Sequence, residues 1–234
     1  MKLTVIQTGD VPGELQAQFG PYPPMFAKMF EDVGTHYDYD VVTVHQGADF
    51  PDPTKLEAIL LPGSAAGVYD NHLPWMEPLR IFIRAAYAAK TPMVGICFGH
   101  QIMADALGGD VRKSEKGWGL GRHGYRVKAP RALAGDLSAL AVACSHQDQV
   151  IGAPPEAEVI LGSDFTPNAG LLYRNGAALS FQPHPEFEDP YTLALAKMRR
   201  GKADDVVVDT AVASLATPSD SPVLARTIAG FLAR

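Results

Sequence analysis

The chain has 234 residues, a formal net charge of −6 at pH 7 and a hydrophobic content of 47%. Its acidic balance argues against a nucleic-acid-binding protein, and no apolar run approaches the roughly 18 residues of a membrane span, so we expect neither nucleic acid nor a membrane as a partner. The length and apolar content suit one core, and we expect residues 1–234 to form a single domain.

Strand-like and helix-like segments alternate in the first half of the chain. Apolar runs predict strands at 3–8, 40–44, 58–61 and 93–96, and helical periodicity predicts helices at 24–33, 75–89 and 98–107. This alternation is typical of an α/β fold with a doubly wound, mostly parallel sheet flanked by helices. Ligands of such folds bind beyond the carboxyl ends of the strands, so the residues that follow each strand are candidates for the site.

Residues 10–23 lie between the first predicted strand and the first predicted helix and are rich in glycine and proline. This composition favours a loop, either a mobile one near the site or an ordinary surface loop. Gly9 and Asp10 also end the first apolar run too early for the core of a signal peptide.

The strand predicted at 58–61 runs directly into Pro62, Gly63 and Ser64. Small residues let backbone N–H groups come close to a ligand, as the oxyanion hole of an acyl-transfer enzyme requires. Alone, this segment is ordinary turn chemistry. It gains weight from two denser motifs downstream.

The first of these motifs is centred on Cys97, which follows the strand predicted at 93–96 and is flanked by Gly95 and Gly99. A helical pattern begins immediately after the cysteine. This order indicates a strand–nucleophile–helix elbow with cysteine in place of serine, in which larger side chains at the two glycines would collide with the neighbouring strand and helix. The start of the helix points N–H groups and its positive dipole end at the sulfur, which favours negative charge there.

Beyond residue 109 the segments are shorter and more β-like. We expect mixed or antiparallel strands that complete the sheet and build the pocket wall, at 122–128, 139–144, 158–163, 170–173 and 177–182. Helices are expected at 191–200 and 221–233. The short basic cluster of Lys197, Arg199, Arg200 and Lys202 is soon followed by two aspartates, which favours a solvated helix face.

The second dense motif is His184 with Glu186, at the end of the strand predicted at 177–182. Pro183 and Pro185 flank the histidine and restrict its backbone, so the imidazole leaves the strand in a fixed direction. Residues two apart in extended chain project to the same side, so Glu186 can reach one ring nitrogen while the other faces a thiol. Cysteine, histidine and glutamate therefore form a candidate catalytic triad of Cys97, His184 and Glu186.

Taken in order, the oxyanion loop, the elbow Gly95-Ile96-Cys97-Phe98-Gly99-His100-Gln101 and His184-Pro185-Glu186 resemble the triad-type, class I glutamine amidotransferase domain. Two further segments resemble its GMP-synthetase-like, free-standing branch: Ser145-His146-Gln147-Asp148 and Lys116-Gly117-Trp118-Gly119-Leu120-Gly121. The resemblance covers most of residues 1–190 and implies a flavodoxin-like fold with extra antiparallel strands.

The resemblance also implies roles for single residues. The backbone N–H groups of Ser64 and Phe98 would form the oxyanion hole. A glutamine pocket would be lined by Gly63, Gln101, Ser145, His146 and Gln147. Two departures from the family pattern stand out: Ser64 replaces a glycine, which should be harmless if only its amide is used, and Gly119 stands where an acidic residue is common.

The implied reaction is hydrolysis of the γ-carboxamide of glutamine to glutamate and ammonia, through a γ-glutamyl thioester on Cys97. The ammonia acceptor would then be a separate synthetase subunit, because no part of the chain is left over for an ATP-dependent domain. The alternatives are a free-standing hydrolase or transferase of γ-glutamyl peptides that uses the same triad, and an inactive binding domain. We expect no cofactor, and a reducing, cytoplasmic compartment because the chain has two cysteines, one of them assigned to chemistry.

Four other residues are candidates for a role in the site. His100 and His146, with His184, match no common zinc spacing, so no metal site is expected. His100 is expected to have a packing role and Cys144 to be a core thiol. Trp118, in a glycine-rich loop, either forms the wall of a pocket or plugs it.

Overall fold

The computed structural model describes residues 1–135 and 137–233. Its strands are β1 Lys2–Gln7, β2 Asp38–Thr43, β3 Ala58–Leu61, β4 Met93–Ile96, β5 Asp110–Lys113, β6 Gly119–Val127, β7 Ala139–His146, β8 Asp148–Gly152, β9 Ala157–Gly162, β10 Gly170–Tyr173 and β11 Ala178–Phe181. Its α-helices are α1 Gly13–Phe19, α2 Tyr22–Glu31, α3 Met76–Ala89, α4 Phe98–Ala106, α5 Asp189–Met198, α6 Asp205–Ser214 and α7 Ser221–Leu232.

Nine strands form one mixed sheet in the order β2-β1-β3-β4-β11-β10-β9-β6-β7. The strands from β2 to β11 pair in parallel, and those from β11 to β7 pair antiparallel. Strands β5 and β8 form a separate antiparallel pair. The predicted fold class, a doubly wound sheet with added antiparallel strands, is confirmed.

The core lies on both faces of the sheet, which is why the central strands are continuous apolar runs. Strands β3, β4 and β11 are buried along their whole length. Alternate side chains of β1 enter opposite clusters: Leu3 and Val5 pack with residues of α2, α5 and α7, while Ile6 packs with residues of α3 and α4. Helices therefore cover both faces and leave the carboxyl ends of the parallel strands for the loops that carry the motifs.

The loop expected at 10–23 is wrong, because this segment contains helix α1. Leu15 on this helix is buried in the core. Pro12 occupies the N-cap, and Gly20 follows the helix with φ of +70°. Proline before a helix and glycine after it are normal end signals, so the residues that suggested a loop mark the two ends of a short helix.

Helix α6 and the β5–β8 pair were not predicted. The α6 segment is rich in valine, which favours strands over helices. It forms because Val208 and Ala211 pack with Leu120 of β6. A Cβ atom on Gly121, which has φ of +78°, would lie 2.5 Å from the carbonyl oxygen of Ala211, so this glycine permits the close approach. No helix in the described parts of the chain has the length and apolar character needed to cross a lipid bilayer.

Candidate active site

Three predicted motifs meet at the carboxyl ends of neighbouring parallel strands. Strand β3 leads to Gly63, β4 leads to Cys97 and β11 leads to His184. A Cβ atom on Gly63 would lie 3.2 Å from Cε1 of His184 and 3.9 Å from Cβ of Cys97. The oxyanion-loop glycine therefore lies directly against the predicted nucleophile and base.

Cys97 occupies a strained backbone position between β4 and α4. Its φ of 53° and ψ of −103° are rare for a residue with a side chain. The turn is held on both sides, since the Cys97 N–H donates to the Phe181 carbonyl at 2.9 Å and the Cys97 carbonyl accepts from the N–H of Gln101 at 3.0 Å. This geometry is the elbow that the sequence predicted.

The two elbow glycines are required by close backbone contacts. A Cβ atom on Gly95 would lie 2.5 Å from the carbonyl oxygen of Gly99, and one on Gly99 would lie 2.0 Å from that of Leu61. Neither contact can relax by turning a side chain. The Gly-x-Cys-x-Gly spacing thus reflects the crossing of β3, β4 and α4 at the nucleophile.

His184 and Glu186 form a buried hydrogen-bonded pair. Nδ1 of His184 lies 2.7 Å from Oε1 of Glu186, and the His184 N–H donates to the Ala143 carbonyl at 2.8 Å. Burial alone would lower the pKa of His184, but the charges of Glu186 and Cys97 outweigh it and raise the pKa to about 10. The imidazole is therefore held in its protonated form at neutral pH, with Nδ1 committed to Glu186.

The two predicted oxyanion donors are Phe98 and Ser64. The position of Phe98 leaves its N–H free, and the side chain of Ser64 is held by hydrogen bonds. Phe98 is the first residue of α4, where the N–H has no acceptor within the helix. The Ser64 hydroxyl donates to the Thr8 carbonyl at 2.8 Å and accepts from the Ala66 N–H at 3.2 Å. Serine in place of glycine therefore adds a hydrogen bond that connects the loop to the end of β1. The role of the Ser64 amide in the oxyanion hole stays a prediction.

Among the predicted glutamine-pocket residues, Gln101 has its side-chain amide hydrogen-bonded within the protein. Nε2 of Gln101 donates to the Asp148 carbonyl at 2.8 Å and to Oε1 of Gln182 at 3.1 Å. Both of its amide hydrogens are therefore used within the protein. Gln101 therefore links α4 to the segment that contains Ser145, His146 and Gln147, and its part in a glutamine pocket stays a prediction.

Ser145 and His146 are neighbours on β7, so their side chains point to opposite faces of the strand. The lining of a glutamine pocket by the backbone of this segment stays a prediction. The hydroxyl of Ser145 and Nε2 of His146 are buried and have no hydrogen-bond partner among the described residues. Burial, with the neighbouring His123, lowers the pKa of His146 to about 3, so this imidazole is neutral. The carbonyl of Gln147 accepts from the Ser114 N–H at 3.0 Å, which ties the same segment to the loop before β6.

The packing role expected for His100 is confirmed. Its Nδ1 lies 2.8 Å from the Ser180 hydroxyl and its Nε2 lies 3.0 Å from the Asn168 carbonyl. Burial lowers the pKa of His100 to about 3. Cys144 is a buried core thiol, as expected, and burial raises its pKa. The described residues contain no group of three His, Cys, Asp or Glu side chains able to hold a metal ion.

Residues beside His184 were missed by the sequence analysis. The Phe187 ring stacks on the imidazole with centroids 3.8 Å apart, and Tyr191 meets the Phe187 ring edge-on at 4.6 Å. The Tyr22 ring is also stacked on that of Phe187, with centroids 6.2 Å apart. The only available signal was the placement of Phe187 directly after the His184-Pro185-Glu186 motif.

The solvated helix face expected at 197–202 is wrong for one of its residues. Lys197 and Arg200 are exposed, but Arg199 is half-buried, and its Cζ lies 4.5 Å from the ring centroid of Trp118. Arg199 is the C-cap residue of helix α5, which ends at Met198. Trp118 therefore packs against the guanidinium of Arg199 in a cation–π contact.

The sequence matches the family model of class-I glutamine amidotransferases over residues 26–190. A Saccharomyces cerevisiae protein provisionally named a glutamine amidotransferase is 29% identical over 80% of this chain and 78% of its own length. Gamma-glutamyl peptidase 2 of Arabidopsis thaliana is 25% identical over 77% of this chain and 74% of its own. GMP synthase of Parafrankia sp. is 35% identical, but the match covers 55% of this chain and 23% of that protein.

A solved glutamine amidotransferase structure from Thermotoga maritima has the same fold. It superposes with a TM-score of 0.75, covers 100% of this chain and 99% of its own, and is 18% identical in sequence. At this identity the likeness speaks for the fold alone.

Proposed function

Because the chain belongs to the class-I glutamine amidotransferase family, we propose that it is a cysteine-dependent hydrolase of γ-glutamyl amides, glutamine being the simplest substrate. The observation that supports this proposal is the position of Gly63, where a Cβ atom would lie within 4 Å of both Cys97 and His184, together with the 2.7 Å hydrogen bond from His184 to Glu186. Residues 1–234 would act as one such domain.

In the first half of the reaction the Cys97 sulfur attacks the γ-carbonyl carbon. The N–H groups of Phe98 and Ser64 donate hydrogen bonds to the oxygen as it becomes negatively charged, and each lowers the barrier by about 3 kcal/mol. As the C–N bond breaks, the protonated His184 delivers its Nε2 proton to the leaving nitrogen. The product is a γ-glutamyl thioester on Cys97 and a free amine, which is ammonia when the substrate is glutamine.

In the second half, water attacks the thioester carbon, the S–C bond breaks and His184 takes the proton from the water. The charge of Cys97 contributes to the high pKa of His184 in the resting site. Acylation removes that charge, so the pKa of the imidazole falls and it can act as a base. Glu186 holds the Nδ1–H tautomer in both halves and keeps Nε2 directed at the reacting atoms.

Cys97 is tested by replacing each cysteine separately and measuring glutamate release from glutamine and from a γ-glutamyl dipeptide. We expect Cys97→Ala to abolish release from both substrates, because the covalent route is lost. Cys144→Ala is the matched control, a core thiol that should retain turnover if the protein folds. Equal activity of Cys97→Ala and the unmodified protein would refute the proposal.

Two versions of this function differ in what accepts the released amine. Amide hydrolysis that serves a synthetase is supported by the relative named GMP synthase, which is 35% identical over 55% of this chain. Free-standing hydrolysis of γ-glutamyl peptides is supported by gamma-glutamyl peptidase 2, which matches over most of its own length. The first version predicts slow turnover of glutamine by the isolated protein and a rise when the partner is added. Rapid hydrolysis of γ-glutamyl peptides by the isolated protein would contradict it and favour the second.

A further inference from the structure

The oxyanion loop is fastened to its neighbours on both sides of Gly63. Before this glycine, the Pro62 carbonyl accepts from the Gly99 N–H at 3.2 Å, which joins the loop to helix α4. After it, the Ser64 hydroxyl donates to the Thr8 carbonyl at 2.8 Å, which joins the loop to the end of β1. The peptide between Gly63 and Ser64, whose N–H is the predicted oxyanion donor, is therefore held at both ends by hydrogen bonds within this chain.

Gly9 leaves the space that the Ser64 hydroxyl occupies. A Cβ atom at position 9 would lie 2.9 Å from Oγ of Ser64 and 3.3 Å from its Cα. The first distance is too short for a contact between carbon and oxygen, so a side chain here would displace the hydroxyl or the loop. The hydrogen bond from Ser64 to Thr8 therefore depends on a glycine next to its acceptor.

The acceptor of this hydrogen bond also has a fixed position. Thr8 follows β1, and the residues around it are held by side-chain hydrogen bonds. The Gln7 side-chain amide donates to the Gly9 carbonyl at 3.1 Å and to Oδ1 of Asp10 at 2.9 Å. Nε2 of His45 lies 3.0 Å from Oδ2 of Asp10, and its Nδ1 lies 2.9 Å from the Gln7 carbonyl. The carbonyl that receives the Ser64 hydroxyl is thus part of a segment connected to the residues after β2.

We propose that the Ser64 hydroxyl is a positioning group that holds the Ser64 N–H where the oxyanion forms. The peptide that carries this N–H follows Gly63, where a Cβ atom would lie 3.2 Å from Cε1 of His184 and 3.9 Å from Cβ of Cys97. A donor that is already in place when negative charge develops does not have to reorganise, and it therefore lowers the barrier more than a mobile donor.

This inference deepens the proposed function and rests on it, since it assumes that Cys97 attacks a γ-carbonyl carbon. The hydrogen bonds that position the Ser64 N–H all come from this chain. The donor therefore needs no second subunit to place it, and this agrees with the version of the function in which γ-glutamyl peptides are hydrolysed by the free-standing protein.

The test is Ser64→Ala, which removes the hydroxyl and keeps the amide. Glutamate release is measured from glutamine and from a γ-glutamyl dipeptide, and alkylation of Cys97 by iodoacetamide is measured in parallel. Alkylation requires the thiolate but develops no negative charge on a carbonyl oxygen. We expect kcat to fall by at least about tenfold for both substrates, while KM and the alkylation rate each change by less than about threefold.

Gly9→Ala is a second variant, which keeps Ser64 but displaces its hydroxyl, and we expect it to lower kcat in the same way. Gly13→Ala is the matched control, because a Cβ atom at this exposed glycine would meet no described atom within 4 Å. Unchanged kcat in Ser64→Ala or Gly9→Ala would overturn the proposal. An equal loss of kcat and of the alkylation rate would also overturn it, because the hydroxyl would then support the whole site. A rise in KM alone would show instead that the hydroxyl binds substrate.

Hydrogen–deuterium exchange distinguishes a failure of this inference from a failure of the proposed function. The Ala66 N–H donates to Oγ of Ser64 at 3.2 Å, so the peptide that spans residues 62–68 should exchange faster in Ser64→Ala, by at least about tenfold at its slowest amide. Equal exchange in the variant and the unmodified protein would overturn the inference even if Cys97 is the nucleophile. Failure of the unmodified protein to cleave either substrate would instead refute the proposed function.

Discussion

The Phe187 ring lies face to face on the His184 imidazole, with centroids 3.8 Å apart and planes 6° apart. Two neutral aromatic rings avoid this parallel arrangement, but a protonated imidazole is attracted to the negative face of phenylalanine. The stacking therefore fits the raised pKa of His184 and fixes the plane in which Nε2 points. Phe187 is a positioning residue that acts through the histidine.

Replacing this ring should slow the reaction more than it weakens binding. In Phe187→Leu, the imidazole loses its flat support, so we expect kcat to fall by about tenfold with KM little changed, because small errors in orientation are costly in catalysis. The pKa of His184 should also fall, which an NMR titration of its ring protons would detect. Phe187→Tyr preserves the stack and serves as the control. Unchanged kcat and pKa in Phe187→Leu would show that the ring only fills space.

Removing the charge of Glu186 should alter how stability depends on pH. The folded-state pKa of His184, about 10, lies above its ordinary value of about 6.5, so the protonated imidazole contributes stability below pH 6.5 that is lost as the pH rises through 10. Glu186→Gln keeps the shape but lowers this pKa. We expect the melting temperature of the unmodified protein to fall more steeply between pH 7 and 10 than that of Glu186→Gln. Parallel melting curves across this range would contradict the assigned coupling.

The same variant should lose most of its activity, since glutamine no longer selects the Nδ1–H tautomer. We expect kcat to fall by at least about a hundredfold, measured as glutamate release at pH 7. Glu188→Gln, which alters an exposed carboxylate outside the triad on the same segment, controls for a general change in charge. Retention of near-normal activity in Glu186→Gln would exclude Glu186 from the mechanism.

A single methyl group at Gly63 should impair catalysis with little effect on the rest of the fold. It would lie 3.2 Å from Cε1 of His184, which is tighter than ordinary contact, and the imidazole would have to move. We expect Gly63→Ala to lower kcat/KM by at least about tenfold. Gly124→Ala on β6, where a Cβ would meet nothing within 4 Å, is the matched control. Equal activity of the two variants would show that Gly63 does not border the reacting atoms.

The sequence was informative wherever a function depends on local backbone geometry. Cys97 was recognisable because its strained turn requires Gly95 and Gly99, and His184 because prolines flank it. Arg199 was misread because its partner, Trp118, is distant in the chain, and a contact of that kind leaves no periodic or spacing signal. Helix α1 was misread because Pro12 and Gly20 mark helix ends as readily as they mark loops.

The central claim is that Cys97 carries the γ-glutamyl group as a thioester, and trapping that intermediate tests it most directly. The protein is mixed with a γ-glutamyl dipeptide, and the reaction is quenched with acid during turnover. The protein is then digested, and the masses of its peptides are measured by mass spectrometry. We predict that the peptide containing Cys97 gains the mass of one γ-glutamyl group, that the peptide containing Cys144 does not, and that Cys97→Ala gains nothing. Two results would contradict the account. One is turnover without any adduct on Cys97 under conditions where deacylation is the slower step, and the other is an adduct on Cys144 instead.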